Sequence, residues 1–307
     1  MVNVCLIGCG GVGRRHLEAM IKVKQELNIE VVEPYLKNKI ENNNISYFKD
    51  IKDVSDNIDI CLIATKADIR KKVILDLVHS KNVKFIILEK VVFQNEPDFD
   101  EIIKLLKSKN IKCWVNCHLR AQPIYKELKK QSMIEHDTYF TYDYSDDFTL
   151  STSAIHILDL FAYLCDDYNL KIKRLKTDET LTKSKHEGCF DFNGSMEVVS
   201  TNNHKLSVQK VNKVFGEHFT IQSPSVTVKA GEGTDPNNRV GFVNDKKIPY
   251  LYQSSLTNLY IEDIINKSDC DLSTLENSAI LHKEMLSTFR DLFSKKYNQE
   301  VMDCPIT

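Results

Sequence analysis

The sequence predicts an α/β protein, in which a doubly wound parallel sheet is followed by an α+β domain with an open, mainly antiparallel sheet. In the first third of the chain, short apolar runs alternate with amphipathic helical stretches, as is typical of parallel strands buried on both faces. From residue 171 to residue 243, strand-like runs instead follow one another through short turns. At 307 residues the chain is long enough for two domains, which we predict at 1–119 and 120–307.

The elements of the first domain follow from these runs in chain order. The apolar run Val2–Ile7 predicts a strand, a Gly-rich turn leads into a helix at 12–27, and 30–33 predicts a second strand. Further strands are predicted at 58–64, 83–88 and 111–115, with helices at 69–79 and 98–107. Strands and helices in this order imply right-handed crossovers between parallel strands.

The second domain begins with a helix at 124–130, an aromatic-rich strand at 138–144 and a strongly apolar helix at 152–165. Strands are predicted at 194–200, 205–211, 218–221 and 225–229, and helices at 256–266 and 274–295 close the chain. Ser273 and Glu276 form a capping-box pattern at the start of the last helix. Because these helices are too few to cover both faces of the sheet, we expect a homo-oligomer that buries the open face.

Composition narrows the classes of function. The 41 basic and 43 acidic side chains are interspersed, which argues against a nucleic-acid partner because phosphate binding needs clustered basic surface. No apolar run approaches the roughly 18 residues of a membrane span, and the Met1-Val2-Asn3 start lacks a charged leader segment, so we expect no membrane partner and a cytoplasmic location. The nine cysteines lie largely in apolar runs without paired metal-ligand spacing, which predicts buried thiols and no metal site.

A glycine-rich loop is the strongest local motif. The glycines of Gly8-Cys9-Gly10-Gly11-Val12-Gly13 would make a tight turn, let the backbone approach a pyrophosphate, and let helix and strand pack closely. The amides at the start of the following helix, including that of Val12, would face the phosphates. The motif predicts a Rossmann-type dinucleotide site, the alternative being a glycine-rich turn without a ligand.

The identity of the dinucleotide depends on Glu33, about 20 residues beyond Gly13, where the fingerprint expects an acidic residue. A carboxylate there can accept hydrogen bonds from ribose hydroxyls and repel a 2′-phosphate. We therefore predict NAD rather than NADP as the cofactor, although Lys37, Asn38 and Lys39 follow closely and could tolerate a phosphate.

Several segments together resemble the Gfo/Idh/MocA oxidoreductases, NAD(P)-dependent enzymes that act mostly on sugars and sugar derivatives. They are the loop extended to His16-Leu17, Ile63-Ala64-Thr65, Leu88-Glu89-Lys90, Arg120-Ala121-Gln122-Pro123, Ala154-Ile155-His156-Ile157-Leu158-Asp159-Leu160 and Leu272-Ser273-Thr274-Leu275-Glu276. The resemblance implies cofactor contacts from Thr65, Glu89 and Lys90, a catalytic pair of Lys90 and His156, and a dimer or tetramer formed through the open sheet.

Three positions depart from the pattern of this family. Val91 replaces the proline of the Glu-Lys-Pro motif, so we expect the cis peptide bond at that point to be missing. Arg70 replaces a histidine that often follows the threonine by five residues. Thr152 replaces an aspartate that many members carry four residues before the catalytic histidine, which puts the third member of the usual catalytic set in doubt.

The residues of the helix at 152–165 suggest acid–base chemistry on their own. Thr152, His156, Asp159 and Tyr163 are spaced as a polar stripe on an apolar helix. Histidine titrates near neutral pH and can take the proton of a substrate hydroxyl. We expect Asp159 to orient it, with Thr152 and Tyr163 binding substrate. The alternatives are a core histidine and, for Thr152, a plain helix cap.

Two further residues complete the predicted site. Lys90 ends a buried strand at the carboxyl edge of the sheet, where its ammonium can stabilise a developing alkoxide, the alternative being a surface lysine. Arg120 could bind an anionic or hydroxylated substrate or form an ion pair between domains. The sequence thus predicts an NAD-dependent oxidoreductase that interconverts a hydroxyl and a carbonyl on a sugar, sugar derivative or nucleotide-linked sugar. The alternative is a dinucleotide-binding sensor or regulator that has lost turnover.

Overall fold

The computed structural model describes residues 1–307 except 37, 132–133, 136, 146–148, 179–180, 212–216, 226 and 233–239. The chain divides into two compact units, neither of them continuous in sequence. The first unit comprises Met1–Phe93, Pro97–Asn116 and Tyr252–Glu276, and the second comprises Gln94–Glu96, Cys117–Leu251 and Asn277–Thr307. The main change of unit, at Asn116, lies close to the predicted boundary after residue 119. Residues 252–276, which the sequence assigned to the second domain, belong instead to the first unit.

The first unit is built on a sheet of six parallel strands. In chain order these are β1 (Val2–Ile7), β2 (Leu27–Val32), β3 (Ile45–Phe48), β4 (Asn57–Ile63), β5 (Asn82–Leu88) and β6 (Lys112–Val115). They lie in the order β3-β2-β1-β4-β5-β6, with a two-residue strand at Ser273–Thr274 running antiparallel along β6. This is the strand order of a Rossmann dinucleotide-binding domain, in which ligands bind at the carboxyl ends of the strands.

The helices are α1 (Gly11–Met20), α2 (Ala67–Ser80), α3 (Pro97–Ser108), α4 (Pro123–Gln131), α5 (Leu150–Cys165), α6 (Thr257–Lys267) and α7 (Leu275–Tyr297). Helix α1 is shorter than the predicted 12–27. The amides of Lys22 and Val23 bond to the carbonyl oxygens of Ala19 and Met20, three residues back, and this tightening ends the helix. Leu27 already belongs to β2, which is longer than the predicted 30–33, and the sequence missed β3 altogether.

The second unit is built on an eight-stranded sheet among the described residues. Its strands are β7 (Tyr139–Tyr144), β8 (Lys171–Thr177), β11 (Gly194–Val199), β12 (Lys205–Lys210), β13 (His218–Gln222), β14 (Thr227–Glu232), β15 (Val240–Val243) and β16 (Lys246–Pro249), while β9 (Thr182–Lys183) and β10 (Phe190–Asp191) form a separate hairpin. Every pairing in the larger sheet is antiparallel except that of β12 with β7. The sequence prediction of an open, mainly antiparallel sheet is confirmed.

The two faces of this sheet differ in chemistry because side chains alternate along each strand. One face is apolar and buried, as shown by Phe140, Tyr142 and Phe219 at 0% exposure. The other face is polar, and on it Thr141 pairs in register with Ser207 on β12 and with Thr220 on β13. All three of these side chains are partly exposed.

Helix α5 lies in the core of the second unit. Thirteen of its sixteen residues are buried, among them His156 and Asp159. It ends at Cys165 because Asp166 takes up a left-handed backbone conformation, with φ of 53°. Eight of the nine cysteines of the chain are buried. In the part of the chain that the structure describes, no helix has the length and hydropathy needed to cross a membrane.

Candidate functional site

The glycine-rich loop connects β1 to α1. Two of its positions must be glycine because other backbone atoms lie where a side chain would begin. Gly8 has φ of +90°, and a Cβ there would lie 2.9 Å from the carbonyl carbon of Ala64. A Cβ at Gly13 would lie 2.0 Å from the carbonyl oxygen of Gly8. Any side chain at Gly8 or Gly13 would therefore force the loop, the helix and β4 apart.

The other two glycines leave space for a ligand. A Cβ at Gly10 or Gly11 would meet no described atom within 4 Å. Gly11, Val12 and Gly13 open α1, and the first amides of a helix have no acceptor within it. Open space beside free amides fits the pyrophosphate of a dinucleotide.

Glu33 follows β2 and lies against this loop. Its Oε2 accepts a hydrogen bond from the backbone N–H of Cys9 at 2.9 Å, and its Oε1 accepts one from the N–H of Tyr35 at 3.3 Å. Burial and, next, the Glu33 charge raise the pKa of the Cys9 thiol. The carboxylate is thus fixed beside the phosphate-binding loop, where the fingerprint needs it.

The three residues beyond Glu33 that could tolerate a 2′-phosphate differ in what they contact. The carbonyl oxygen of Asn38 accepts a hydrogen bond from the Arg14 guanidinium at 3.1 Å. The Lys39 ammonium lies 5.1 Å from the ring centre of Tyr47. Lys37 lies outside the described residues.

Parallel strands bring four chain segments to one edge of the sheet. Thr65 lies just beyond β4, Glu89 just beyond β5 and Asn116 just beyond β6, beside the loop that follows β1. Thr65 Oγ1 and Asn116 Oδ1 are shielded from solvent and have no hydrogen-bond partner among the described residues. Shielded polar atoms are normally satisfied, so these two suit a ligand with polar groups. The sequence indicates Thr65 as a site residue but gives no sign of Asn116.

Glu89 is held in a buried network rather than exposed to a ligand. Its Oε1 accepts hydrogen bonds from His16 Nε2 at 2.8 Å and from Asn116 Nδ2 at 2.5 Å. His16 Nδ1 lies 2.8 Å from the hydroxyl of Thr257, at the start of α6. Burial opposes ionisation of Glu89, but His16, Asn116 and the Lys90 charge outweigh it and lower its pKa to about 2. A carboxylate is therefore maintained next to Lys90.

The peptide bond between Lys90 and Val91 is cis. The expectation that this bond would be missing, because valine replaces proline, is wrong. Val91, Val92 and Phe93, which follow Lys90, are fully buried, whereas Lys90 itself is partly exposed at the strand end.

Arg70 holds this segment from α2. It is 2% exposed, and its guanidinium donates hydrogen bonds to the carbonyl oxygens of Thr65, Val91 and Val92. Burial lowers the pKa of Arg70 to about 10, which still leaves it charged near neutral pH. In the sequence Arg70 stands out only as a departure from the family pattern. In the structure it joins the ends of β4 and β5.

The other predicted site residues lie in the second unit, on α5 and on the turn before α4. Asp159 is fully buried, and its Oδ1 lies 3.4 Å from Arg120 Nη1. The same nitrogen donates to the Tyr168 hydroxyl at 2.9 Å, and the guanidinium carbon lies 4.7 Å from the ring centre of Tyr163. Burial would lower the pKa of Arg120, but Asp159 and Tyr168 raise it. Arg120 therefore has its charge partner within its own unit.

Thr152 is the third residue of α5, so it is not the helix cap. Its hydroxyl lies 2.8 Å from that of Thr149, the residue that precedes the helix. His156 is one turn further along and is 5% exposed. The predicted stripe thus lies along one helix, with its ends partly exposed and its centre buried.

His156 is in contact with a second histidine that sequence analysis left unassigned. The rings of His118 and His156 have centroids 4.5 Å apart and planes at 76°. His118 begins the turn His118–Ala121, which also carries Arg120. No local spacing indicates this pair, because 38 residues separate its members. Among the residues described, no group of three or more acidic, histidine or cysteine side chains could hold a metal ion.

Comparison with known proteins agrees with this architecture. Residues 2–117 match the model of an oxidoreductase family with an NAD-binding Rossmann fold, Gfo/Idh/MocA. No sequence among curated proteins matches the chain.

Three of the similar solved structures are an oxidoreductase from Agrobacterium radiobacter, UDP-N-acetylglucosamine 3-dehydrogenase from Acidithiobacillus ferrooxidans, and a super-repressor mutant of Gal80p from Saccharomyces cerevisiae. The first, solved with NAD+, L-tartaric acid and magnesium, is 15% identical with a TM-score of 0.70 over 92% of this chain and 94% of its own. The dehydrogenase is 12% identical with a TM-score of 0.67, over 93% and 96%. Gal80p is 15% identical with a TM-score of 0.68, over 96% and 97%. At these identities the likeness establishes the fold.

Proposed function

We propose that the chain, whose residues 2–117 match the model of the Gfo/Idh/MocA oxidoreductases, is an NAD-dependent enzyme that interconverts a hydroxyl and a carbonyl on a sugar, sugar derivative or nucleotide-linked sugar. The observation that carries the proposal is the conjunction at one sheet edge of an open glycine loop, the Glu33 carboxylate and Lys90 beside an ionised Glu89. These are the parts that a hydride-transferring dehydrogenase needs from its nucleotide domain.

The cofactor would be held by the residues of the first unit. The loop at Gly10 and Gly11, with the α1 amides, would bind the pyrophosphate, and Glu33 would accept hydrogen bonds from ribose hydroxyls. Thr65 and Asn116 offer polar atoms at the strand ends. These residues would hold NAD, which would supply the hydride-transfer chemistry.

The proton would be managed by Lys90 and His156. The ammonium of Lys90 hydrogen-bonds the reacting oxygen and stabilises negative charge that develops on it. Neutral His156 takes the hydroxyl proton during oxidation and returns it during reduction. Asp159 and Arg120, paired at 3.4 Å, fix the helix face that carries His156. Thr152 and Tyr163, on the partly exposed ends of the stripe, would contact the substrate.

The proposed substrate class rests on the side chains of the predicted site and on a solved structure with the same fold. Lys90, Arg120 and the hydroxyls of Thr152 and Tyr163 suit a ligand rich in hydroxyl groups or bearing phosphate. The 3-dehydrogenase of the same fold acts on UDP-N-acetylglucosamine, as its name states, which supports the inclusion of nucleotide-linked sugars.

A second candidate function is regulation without turnover. Two points favour it: Thr152 stands at the position where the family resemblance implies an aspartate, and a super-repressor mutant of Gal80p has the same fold. Both candidates require NAD binding, so binding alone does not separate them.

The experiment that separates them is a screen of purified protein with NAD, and in parallel with NADH, against sugars and nucleotide sugars in both oxidation states. We expect at least one compound to change the nicotinamide absorbance with the wild type and not with a Lys90→Met, His156→Ala double variant. Tight NAD binding with no change across the panel would favour the regulator.

NAD should be preferred over NADP because Glu33 lies against the phosphate-binding loop. We expect Glu33→Gln, which keeps an acceptor for the Cys9 amide but removes the charge, to narrow the ratio of the two dissociation constants by about tenfold. Calorimetric titration with each cofactor measures this. Glu18→Gln, on the exposed surface of α1, is the control. Tighter NADP binding by the wild type would contradict the prediction.

The chain should form a dimer or tetramer through the polar face of the second-unit sheet. The three paired side chains Ser207, Thr141 and Thr220 are small, which would allow another sheet to approach closely at this point. We expect light scattering to give an oligomeric mass for the wild type and a lower mass for Thr141→Arg, whose charge would disrupt the contact. Ser46→Arg, exposed on β3 of the first unit, should leave the mass unchanged. A monomeric wild type at micromolar concentration would exclude this arrangement.

A further inference from the structure

We propose that His118 is a positioning residue that tunes His156: the two imidazoles form a coupled pair in which His118 takes the first proton and keeps His156 neutral. The inference rests on the proposed function for its catalytic meaning, because a neutral His156 is the form that accepts a proton from a substrate hydroxyl. The contact itself lies within the second unit.

The rings of His118 and His156 are in direct contact. At a centroid separation of 4.5 Å and an interplanar angle of 76°, the edge of one ring meets the face of the other. The turn that bears His118 is also packed on α5 next to this contact, with Cys117 Sγ 4.0 Å from the carbonyl oxygen of Ile155. Two rings this close cannot both be charged at moderate pH, because like charges in a shielded site repel strongly. The pair therefore takes up its protons in two separate steps.

Burial decides which ring takes the first proton. His156 is 5% exposed, whereas His118 is partly exposed. Removing a charged group from water is costly, so the more buried imidazole is the poorer place for the charge. The shared proton accordingly resides on His118, and His156 remains a base to lower pH than a lone histidine would.

Several charged and titratable groups lie on the elements around the two rings. The turn that carries His118 also bears Arg120, whose charge is paired with Asp159 of α5. The remaining titratable groups on the described elements packed around the pair are Cys117 before the turn, Tyr163 and Cys165 on α5, Tyr168 beyond it, Tyr125, Lys126, Glu127, Lys129 and Lys130 on α4, and Asp191 on β10. Lys129 is held by Asp166 and the carbonyl oxygen of Tyr163, and Asp191 accepts from Ser151 at the start of α5. Among these described groups, His118 and His156 are the two imidazoles whose rings are in contact.

The test is an NMR titration of the imidazole C–H resonances in the full chain, with assignments from single variants. His118→Phe keeps a ring against His156 but cannot be protonated, and His118→Asn serves if the phenylalanine does not fit. In the wild type we expect two coupled steps, with the lower one at His156. In His118→Phe we expect one step at His156, with its midpoint raised by about one pH unit or more. His79→Phe, on the exposed end of α2, is the control and should leave the His156 midpoint in place.

Catalysis provides the second readout once a substrate is found. The acid limb of the kcat/KM profile for alcohol oxidation should move to higher pH in His118→Phe by the same amount as the NMR midpoint. An ordering role for the ring alone would lower the plateau and leave the limb in place. If His156 titrates in one independent step with the same midpoint in both proteins, the pair does not exist as proposed. If the coupling is present but no compound is turned over, the pair stands and the proposed activity fails.

Discussion

Lys90→Met and His156→Ala will each lower turnover by about 10²-fold or more, the usual loss when a positioned acid–base or charge-stabilising group is removed, while NAD affinity stays nearly unchanged. Lys90 lies two residues beyond the end of β5, next to the ionised Glu89, and methionine keeps the length of its side chain but not the ammonium. His156 is buried on α5, and alanine removes the ring without adding a polar group. Stopped-flow and steady-state rates on the substrate found by screening, together with NAD titrations, measure both effects.

Two controls separate chemistry from folding. Lys84→Met removes an exposed lysine from the same strand, and His79→Ala removes an exposed histidine. Both should retain wild-type turnover. Asp159→Asn should impair turnover less than His156→Ala, because it removes the charge partner of Arg120 without removing the base. Near-normal turnover in both Lys90→Met and His156→Ala would refute the assignment of these two residues to catalysis. Loss of folding in His156→Ala would instead indicate that His156 has a structural role in the core.

Glu89→Gln will lower the free energy of unfolding of the first unit by about 3 kcal/mol near neutral pH, as is typical when one partner is removed from a buried pair. His16 and Asn116 both donate to Glu89 Oε1, and the amide of glutamine provides a weaker acceptor without charge. Trp114, the single tryptophan of the chain, is buried in β6 of the same unit and reports its unfolding by fluorescence.

The pH dependence of this effect has a definite sign. The pKa of Glu89 is about 2 in the folded chain against an ordinary value of 4.5, so its contribution is fully present above about pH 4.5. As pH falls from there towards 2, the unfolded chain takes up a proton that the folded chain does not, and the contribution is lost. The stability difference between the wild type and Glu89→Gln should therefore shrink over that window. Glu101→Gln, a half-exposed carboxylate of α3, should show almost no difference at any pH. A constant difference for Glu89→Gln would contradict the pairing.

The fold was predictable where local pattern and burial coincide. β1, β4 and β5 are mainly apolar runs, and the structure buries their last residues in the parallel sheet. β3 was missed because it is a four-residue edge strand with partly exposed side chains, which leaves only a weak apolar signal. Ser273 was predicted to cap the last helix. The structure places it instead in a strand paired with Val115, a pairing set by residues more than 150 positions apart and invisible to a local pattern.

The same difference between local pattern and long-range contact decides which site residues were predictable. The glycine loop and Glu33 were predictable because the turn, the helix start and the next strand are neighbours in sequence. The buried network could not be predicted, because His16, Glu89, Asn116 and Thr257 meet only after folding. The same holds for Arg70, whose acceptors are main-chain carbonyls that carry no sequence signature. His118 likewise needs the packing of a turn against α5 before it contacts His156.

Deuterium tracing tests hydride transfer by this protein directly and does not require the substrate to be known beforehand. The wild-type protein would be incubated with NADH deuterated at both positions of nicotinamide C4 and with a pool of carbonyl sugars and nucleotide-linked carbonyl sugars, and the products analysed by mass spectrometry. We expect one sugar to gain a single carbon-bound deuterium as the nicotinamide is oxidised, and no transfer with the Lys90→Met, His156→Ala double variant. Retention of all the label on bound nicotinamide across the pool, as with the double variant, would contradict the account.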